Sequence, residues 1–569
     1  MLTSAIFMNI FQTLVVSFIL LSTLSIALPQ NKLEYMRMRA ELINTDENMR
    51  IGSNLVLTAS EHFVNEIFMK EKRNLIESSR LNRTVFFPSA SFFQSRPLIE
   101  QSLLYQLIHT MPKGASLHIH DQSMVSLDWI IKNVTYRDNV YMCLWQQSYL
   151  IFQVFKTMPL NPDCDWKLVV RERQLCKDVA AFDLNLRNNL SLVVNDPFVN
   201  FPDNQAAWVK FSQYFRQVGQ LLYFIPIFKD MLWQTMMEFR EANILYMEVR
   251  VTYAGLYDLE GNVYNREYCT QLVKEVSEAF SQHYPDFIGM KIIFSGIRFQ
   301  NESDILDEVK DVMTLHKKYP DIVAGYDLSG NEAYFRPLHY YSDALMFPSQ
   351  QDPSYRLPYF LHAGETNWQG TETGYNIVDA LLLNATRVGH AYALSKHPHL
   401  MKLYKERDIP IEVQPLSNQV LRLISDFRNH PMVSLIADNF SIVISCDDRT
   451  TMDSAPLSHD FYIVFTAMSS DKADITLLKQ LALNSIRFST LNDSEKERAQ
   501  RLWQTKWDKF INEVPSVTSI PTINTSPKPT NPSNNLATLD QPWTAWCTIL
   551  VLISMLELSH FDIGVGSII

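Results

Sequence analysis

Two histidines two residues apart, His118 and His120, close the apolar run Ala115–His120. In a β-strand, residues i and i+2 point to the same face, so both imidazoles can converge on one point. Three more groups of polar residues close apolar runs in the same way: His362-Ala-Gly-Glu365, His390, and Ser445-Cys-Asp-Asp448. Taken singly, each has a plain structural reading. A histidine in an apolar strand is usually a hydrogen-bonded core residue, and an Asp-Asp pair is usually a solvated turn or helix cap. Taken together the plain reading weakens, because charged groups at the ends of buried strands are costly unless paired or metal-bound.

Three imidazoles and one carboxylate, His118, His120, His362 and Asp447, form a nitrogen and oxygen donor set that suits zinc. Zinc leaves a coordination position for water and lowers the pKa of that water from 15.7 towards ~7. Glu365, three residues beyond His362, is placed to move protons between that water and a bound substrate. His390 is read as the group that orients the attacking oxygen. Asp448 points elsewhere than Asp447 and is free to bind substrate.

Such residues must be held by a frame, and the sequence alternates short β-rich runs with helical patterns. The candidate strands are Ala115–His120, Ile244–Arg250, Met290–Phe294, Ile322–Leu328, Tyr359–Ala363, Thr386–His390, Ile409–Val413 and Ser441–Cys446. Helical patterns such as Leu272–His283 and Asp304–Lys318 fall between them. This predicts an α/β fold, a (β/α)8 TIM barrel over 111–513, with a doubly wound open sheet as the alternative. The polar motifs then close the first, fifth, sixth and eighth strands, at the end of the barrel where catalytic groups gather. Residues 28–110 read as an N-terminal helical extension, with helices around Tyr35–Leu42 and Ser60–Ile76. Residues 128–190, which hold Cys143, Cys164, Trp145 and Trp166, lack a clear helical period and read as a loop-rich inserted subdomain.

The chain has 569 residues with 50 basic and 61 acidic side chains, a formal net charge of −11. An acidic surface argues against a nucleic-acid binder, which needs a basic face. Residues 1–27 carry no charge and end in Ser25 and Ala27, which reads as a secretory signal peptide, with an uncleaved anchor as the alternative. Asn82, Asn133, Asn189, Asn301, Asn384, Asn439, Asn492 and Asn524 each begin an N-x-S/T triplet, as a glycosylated secreted product would. Six cysteines are too few for a disulfide scaffold, and Cys446 reads as a buried free thiol. Cys143 and Cys164 are close enough in sequence to close a local loop in an oxidising compartment. Residues 514–569 read as a Pro/Thr/Ser/Asn-rich linker and an apolar tail. The run Trp543–Leu556 is short for a membrane span, and membrane or lipid anchorage through it is left open.

The stretches MPKGASLHIHD, NILYMEVR, LPYFLHAGETNWQGT, VGHAYALSKHP, IPIEVQPLSNQVLRLISDFRNHP and VISCDD resemble the adenosine deaminase family. The resemblance is strongest to its secreted branch of adenosine deaminase-related growth factors and extracellular adenosine deaminases. It runs over roughly residues 31 to 513. It implies zinc (Zn2+, one per subunit) on His118, His120, His362 and Asp447, with Glu365 as proton donor and His390 positioning the hydroxide. It implies Asp448 on the purine ring, Gly330 meeting the purine through its backbone, and Asp121 and Trp208 contacting the nucleoside. It also implies a Cys143–Cys164 disulfide in a receptor-binding-like subdomain, and a homodimer through the N-terminal helices. A cell-surface receptor or glycan would be a further partner.

Three positions depart from the family pattern. Ala391 stands where Gly follows the catalytic histidine, Arg449 where Pro follows the aspartate pair, and Ile297 where a ribose-contacting histidine is expected. Arg449 is expected to add positive charge near the site and loosen its turn. The leading expectation is hydrolysis of adenosine and 2'-deoxyadenosine to the inosine product and ammonia outside the cell, with growth-factor-like activity. The competing expectations are a secreted ligand or adenosine-binding protein that has lost catalysis, and an adenine or nucleotide deaminase.

Overall fold

The computed structural model describes residues 28–81, 86–160, 162–253 and 255–518. The expected leader over 1–27 and the chain beyond 518 lie outside the described residues, as do Asn82 and Asn524. Eight parallel strands form the frame: β1 (Gly114–Ser116), β2 (Ile244–Val251), β3 (Gly289–Ile297), β4 (Val323–Ser329), β5 (His362–Ala363), β6 (Val388–His390), β7 (Ile411–Val413) and β8 (Ile442–Ile444). They pair in chain order as two four-stranded sheets, β1 to β4 and β5 to β8. Parallel bridges Tyr326–Tyr359 and Ile119–Asp447 join the two sheets into a closed ring. The frame is therefore the expected (β/α)8 barrel rather than an open sheet.

The strands are buried on both faces, as β2 illustrates with every residue of ILYMEVRV inside. That is the behaviour of a parallel sheet covered by helices. Arg266–His283 and Glu302–Lys318 are two such helices, started by side-chain caps at Asn265 and Asn301. Several strands stop earlier than their apolar runs do. The run Ala115–His120 keeps only Gly114–Ser116 as ladder, and Ile119 and His120 pair through single bridges. The backbone leaves the ladder where the polar residues begin, and His390, Ala391 and Asp447 take left-handed conformations with φ of 60°, 44° and 51°.

The N-terminal extension is helical, as expected: Lys32–Glu47, Ala59–Leu81, Phe92–Gln101 and Leu103–Thr110. Ala59–Leu81 docks on the barrel through Phe68, whose ring sits 6.1 Å from that of Phe465 and 6.2 Å from that of Phe510. At the other end, the last helix, Asp493–Thr518, runs past the boundary expected at 513.

The insertion is more regular than its sequence suggests. Tyr149–Val154, Val140–Trp145 and Lys167–Leu168 form an antiparallel sheet, followed by helices Val169–Leu175 and Val179–Asn189. Its hairpin turns through Gln146 and Gln147, at φ of 48° and 58°. Such a turn is normally announced by Asn-Gly or Gly-Gly, so a pair of glutamines hides it. Cys143 and Cys164 are disulfide-bonded beneath it, and Tyr141 and Trp166 complete a small separate core.

Candidate metal centre and active site

His118, His120, His362, Glu365, His390, Asp447 and Asp448 are all buried at the C-terminal mouth of the barrel. Ligand atoms of His118, His362, His390 and Asp447 lie within 4.8 Å of one another. His120 joins from the side: its Nε2 is 3.4 Å from Asp447 Oδ1, the same distance as His118 Nε2. The sequence-predicted cluster is thus brought together, with four histidines around Asp447.

What lies behind each ring decides what its front can do. His118 Nδ1 is 2.7 Å from Glu412 Oε2, and His362 Nδ1 is 2.7 Å from Asp327 Oδ2. Each carboxylate accepts a hydrogen bond from an Nδ1–H, leaving the Nε2 lone pair directed into the cluster, as metal-binding histidines require. The Gln414 amide lies 2.9 Å from the same His118 nitrogen, and its Oε1 is otherwise buried without a partner, so the oxygen is the end suited to face that N–H.

Glu412 and Asp327 are themselves anchored. Arg250 Nη2 is 2.5 Å from Glu412 and its Nε 3.3 Å from Asp327, while Arg387 spans Glu412 and Glu248 at 2.7 and 2.5 Å. All five side chains are completely buried. Burial alone would raise the two acids. The His362 N–H and the charge of Arg250 on Asp327, and the charges of Arg250 and Arg387 on Glu412, hold both well below the usual carboxylate range. None of these five residues was singled out in the sequence. The available signal was a charge inside an apolar run, as with Glu248 and Arg250 in β2.

Two polar atoms face the cluster without any partner: His118 Nε2 and Asp447 Oδ1, both buried. An orphaned lone pair next to an orphaned carboxylate oxygen costs free energy unless something cationic sits between them. The donor set, imidazole nitrogens with one carboxylate, therefore fits a borderline divalent metal.

Glu365 is the acid beside this centre. Glu332 accepts from the backbone N–H groups of Gly364 and Glu365, both at 2.9 Å, and so fixes the turn that carries it. Its own Oε1 is 3.5 Å from His390 Nδ1. Burial, then the negative charges of Asp447, Glu332 and Asp448, push the Glu365 carboxyl well above its ordinary value. A protonated acid in the site is a proton donor. Asp448, next to the strongly acidic Asp447, is likewise pushed up by burial and by that neighbour, and accepts from Ser123 Oγ.

Above the cluster opens a cavity of about 250 Å³. One face of the helix Asn204–Leu222 supplies a wall through Trp208, Phe211, Ser212, Phe215 and Arg216. Ile297, Phe299, Gly330 and Phe335 line it too, as does Asp121. Asp121 is buried, accepts from Tyr223 Oη at 2.9 Å, and is pushed up to about 7 by burial. The sequence-predicted substrate residues Asp121, Trp208, Gly330 and Asp448 therefore share one cavity with the metal cluster.

The departures behave differently from one another. Ile297 lines the cavity as an apolar group. Ala391 is fully buried in a conformation that favours glycine. Arg449 does not add charge to the cavity or loosen its turn. It is buried and directed away, donating to Met124 O at 3.1 Å, Glu238 Oε2 at 2.5 Å and Ser454 O at 3.0 Å. Glu238 sits within reach because the helix Ile225–Glu241 packs behind that turn. Cys446 is a buried free thiol, as expected.

Comparison with known proteins agrees with this geometry. The family model described as adenosine deaminase matches residues 188–503, and one described as adenosine/AMP deaminase N-terminal matches residues 14–108. Adenosine deaminase 2 of Homo sapiens is 42% identical over 479 residues, 84% of this chain and 93% of that protein. Adenosine deaminase 2-A of Danio rerio is 39% identical with 84% and 94% covered, and an adenosine deaminase of Phlebotomus duboscqi 37% identical with 84% and 92% covered. Among solved structures, Arabidopsis ADAL complexed with IMP superposes at a TM-score of 0.51, with 16% identity, covering 71% of this chain and 99% of that one, which speaks for the shared fold. The chain is an enzyme that belongs to the adenosine deaminase family.

Proposed function

We propose that this chain is an extracellular, zinc-dependent adenosine deaminase, converting adenosine and 2'-deoxyadenosine to the inosine product and ammonia. The observation that carries the reading is the facing pair of orphaned atoms, His118 Nε2 and Asp447 Oδ1, at the base of a cavity that also holds Glu365. His118, His120, His362 and Asp447 would hold the ion, which when bound supplies Lewis-acid activation of water.

The remaining work falls to the chain's own side chains. Glu365 gives its proton to a purine ring nitrogen as water adds at C6, then relays the water proton to the departing amine. His390 orients the attacking oxygen. Asp448 and the backbone of Gly330 hold the purine, and Asp121 and Trp208 the sugar side. Ile297 offers that side no hydrogen bond, which favours tolerance of sugar variation over strict ribose recognition.

Secretion is supported by the uncharged, apolar segment 1–27 and by the Cys143–Cys164 bond, which suits an oxidising compartment. Exposure of the sequon residues Asn133, Asn301, Asn384, Asn439 and Asn492 supports glycosylation. A homodimer through the N-terminal helices is supported by Lys32–Glu47, which buries none of its residues and leaves Leu33, Met36 and Leu42 exposed. We assign receptor or glycan contacts and growth-factor-like activity to the inserted subdomain.

The test is zinc content of the purified protein together with conversion of adenosine to inosine, followed by ultraviolet absorbance. Bound zinc with turnover supports the reading; bound zinc without turnover at millimolar adenosine overturns it. Glu365→Gln should keep fold and zinc and lose at least about a thousandfold in kcat.

A further inference from the structure

His390 is oriented by a chain of hydrogen bonds whose direction is set at its far end. The backbone N–H of Met432 donates to His430 Nδ1 at 3.1 Å. A backbone amide can only donate, so Nδ1 of His430 is the bare nitrogen and Nε2 carries the proton. That Nε2 is 2.9 Å from Asn418 Oδ1, which accepts. The Asn418 amide is thereby turned so that its Nδ2, a donor, faces His390 Nδ1 at 3.3 Å. His430 and Asn418 are both buried, so water does not offer alternatives.

We infer that Asn418, held by His430, is a positioning residue that fixes His390 with its proton on Nε2. His390 then enters the reaction as a hydrogen-bond donor and not as a metal ligand. The contrast with its neighbours is direct. His118 and His362 back onto carboxylates and keep Nε2 bare, whereas His390 backs onto an amide N–H2 and keeps Nε2 protonated. Its Nε2 faces Asp447 Oδ2 at 3.8 Å, across the space where the attacking oxygen must stand. Proximity alone places four groups around one point; the tautomers divide them into ligands and a donor. The inference rests on the deaminase reading above.

Two variants test it. In Asn418→Asp, assayed at pH 8, an ionised carboxylate of nearly unchanged shape accepts from His390 Nδ1 and moves the proton off Nε2. Imposing the wrong tautomer should lower kcat by on the order of 100- to 10,000-fold with KM within threefold. Asn418→Ala, which only frees the ring, should lose less. A merely structural role predicts the opposite order, since Asp fits the site better than Ala. Separately from activity, His390→Ala should still bind one zinc per chain with affinity within threefold of wild type, while His362→Ala loses at least 100-fold.

The inference is overturned if Asn418→Asp turns over as fast as wild type, if Ala is the more damaging substitution, or if His390→Ala loses its zinc. Should Asp at 418 prevent folding, His430→Phe carries the kinetic test: it unlocks the amide and should lower kcat about tenfold without changing KM, and an unchanged kcat sinks the idea. An inactive wild type would instead count against the deaminase reading itself.

Discussion

Gly389 lies against the ring of His118 so closely that a Cβ at 389 would meet Cε1 at 3.1 Å and Nδ1 at 3.3 Å, with the Cα of His362 at 3.4 Å. The sixth strand thus has no side chain at the one point where two candidate ligands from the first and fifth strands cross it. His118 is held from behind by Glu412 and has no room to retreat.

The first prediction follows from that contact. Gly389→Ala should displace His118 by a few tenths of an ångström and lower zinc affinity about 10- to 100-fold, as disturbing the support of a ligand does. Competition against a chelator measures it. Unchanged affinity would mean that His118 is not held where the metal needs it.

Much of this site could be read from the sequence, and the reason is local. Each site motif closes its own strand, so the candidate ligands His118, His120, His362 and Asp447, and His390 beside them, needed only the rule that barrel chemistry gathers at strand ends. What could not be read is the pairing across the barrel. Glu412 supports His118 over a separation of 294 residues, and His430 acts on His390 only through Asn418. No periodicity carries that information. The charges buried in β2, β4 and β7 did leave a trace, because Glu248, Arg250, Asp327 and Glu412 interrupt runs that have no solvent-facing side. The hairpin in the insertion left almost none, since Gln146 and Gln147 occupy positions that glycine or asparagine normally announces.

Ala391 supplies a stability prediction. It sits at φ 44° and ψ 29° immediately after His390, where a Cβ is disfavoured. Glycine at this position should stabilise the fold by about 1 kcal/mol, the left-handed penalty less glycine's own entropy cost. A rise in thermal midpoint with kcat within twofold of wild type is the expected result. A fall in midpoint would show that the buried methyl packs better than the backbone suffers.

Acid sensitivity of the docked N-terminal extension should depend on Glu61. Its carboxylate accepts from Lys479 Nζ at 2.5 Å, Trp507 Nε1 at 2.7 Å and the Thr58 backbone at 2.8 Å. Burial alone would raise this acid, but these donors together lower it from 4.5 to about 2. An acid depressed in the folded state contributes stability that is complete above about 4.5 and fades as pH falls towards about 2. Glu61→Gln should therefore unfold at lower urea than wild type at pH 7, with the gap closing below pH 4. A gap independent of pH would assign the loss to packing instead of charge.

Arg449 closes a zipper between the two segments that carry Asp121 and Asp448. Ser123 bonds Asp448, Arg449 bonds Met124 O, and Thr450 bonds Val125 O, in step along both chains. Glu238 accepts from Arg449 at 2.5 Å and from Ser126 Oγ at 2.7 Å, tying off the end. A proline at 449 could supply none of these side-chain bonds. Arg449→Met should leave Glu238, whose side chain is 13% exposed, without its cation though still accepting from Ser126 and Gln234, and cost up to about 3 kcal/mol, as removing one partner of a buried pair does. Because the zipper sets the distance between Asp121 and Asp448, the two acids proposed to bind substrate, KM for adenosine should rise several-fold more than kcat falls. Adding Glu238→Gln to the Arg449→Met variant removes the stranded charge and should recover part of the stability while leaving KM high. If the double variant regained the wild-type KM, the unpaired charge and not the lost zipper would have been the cause.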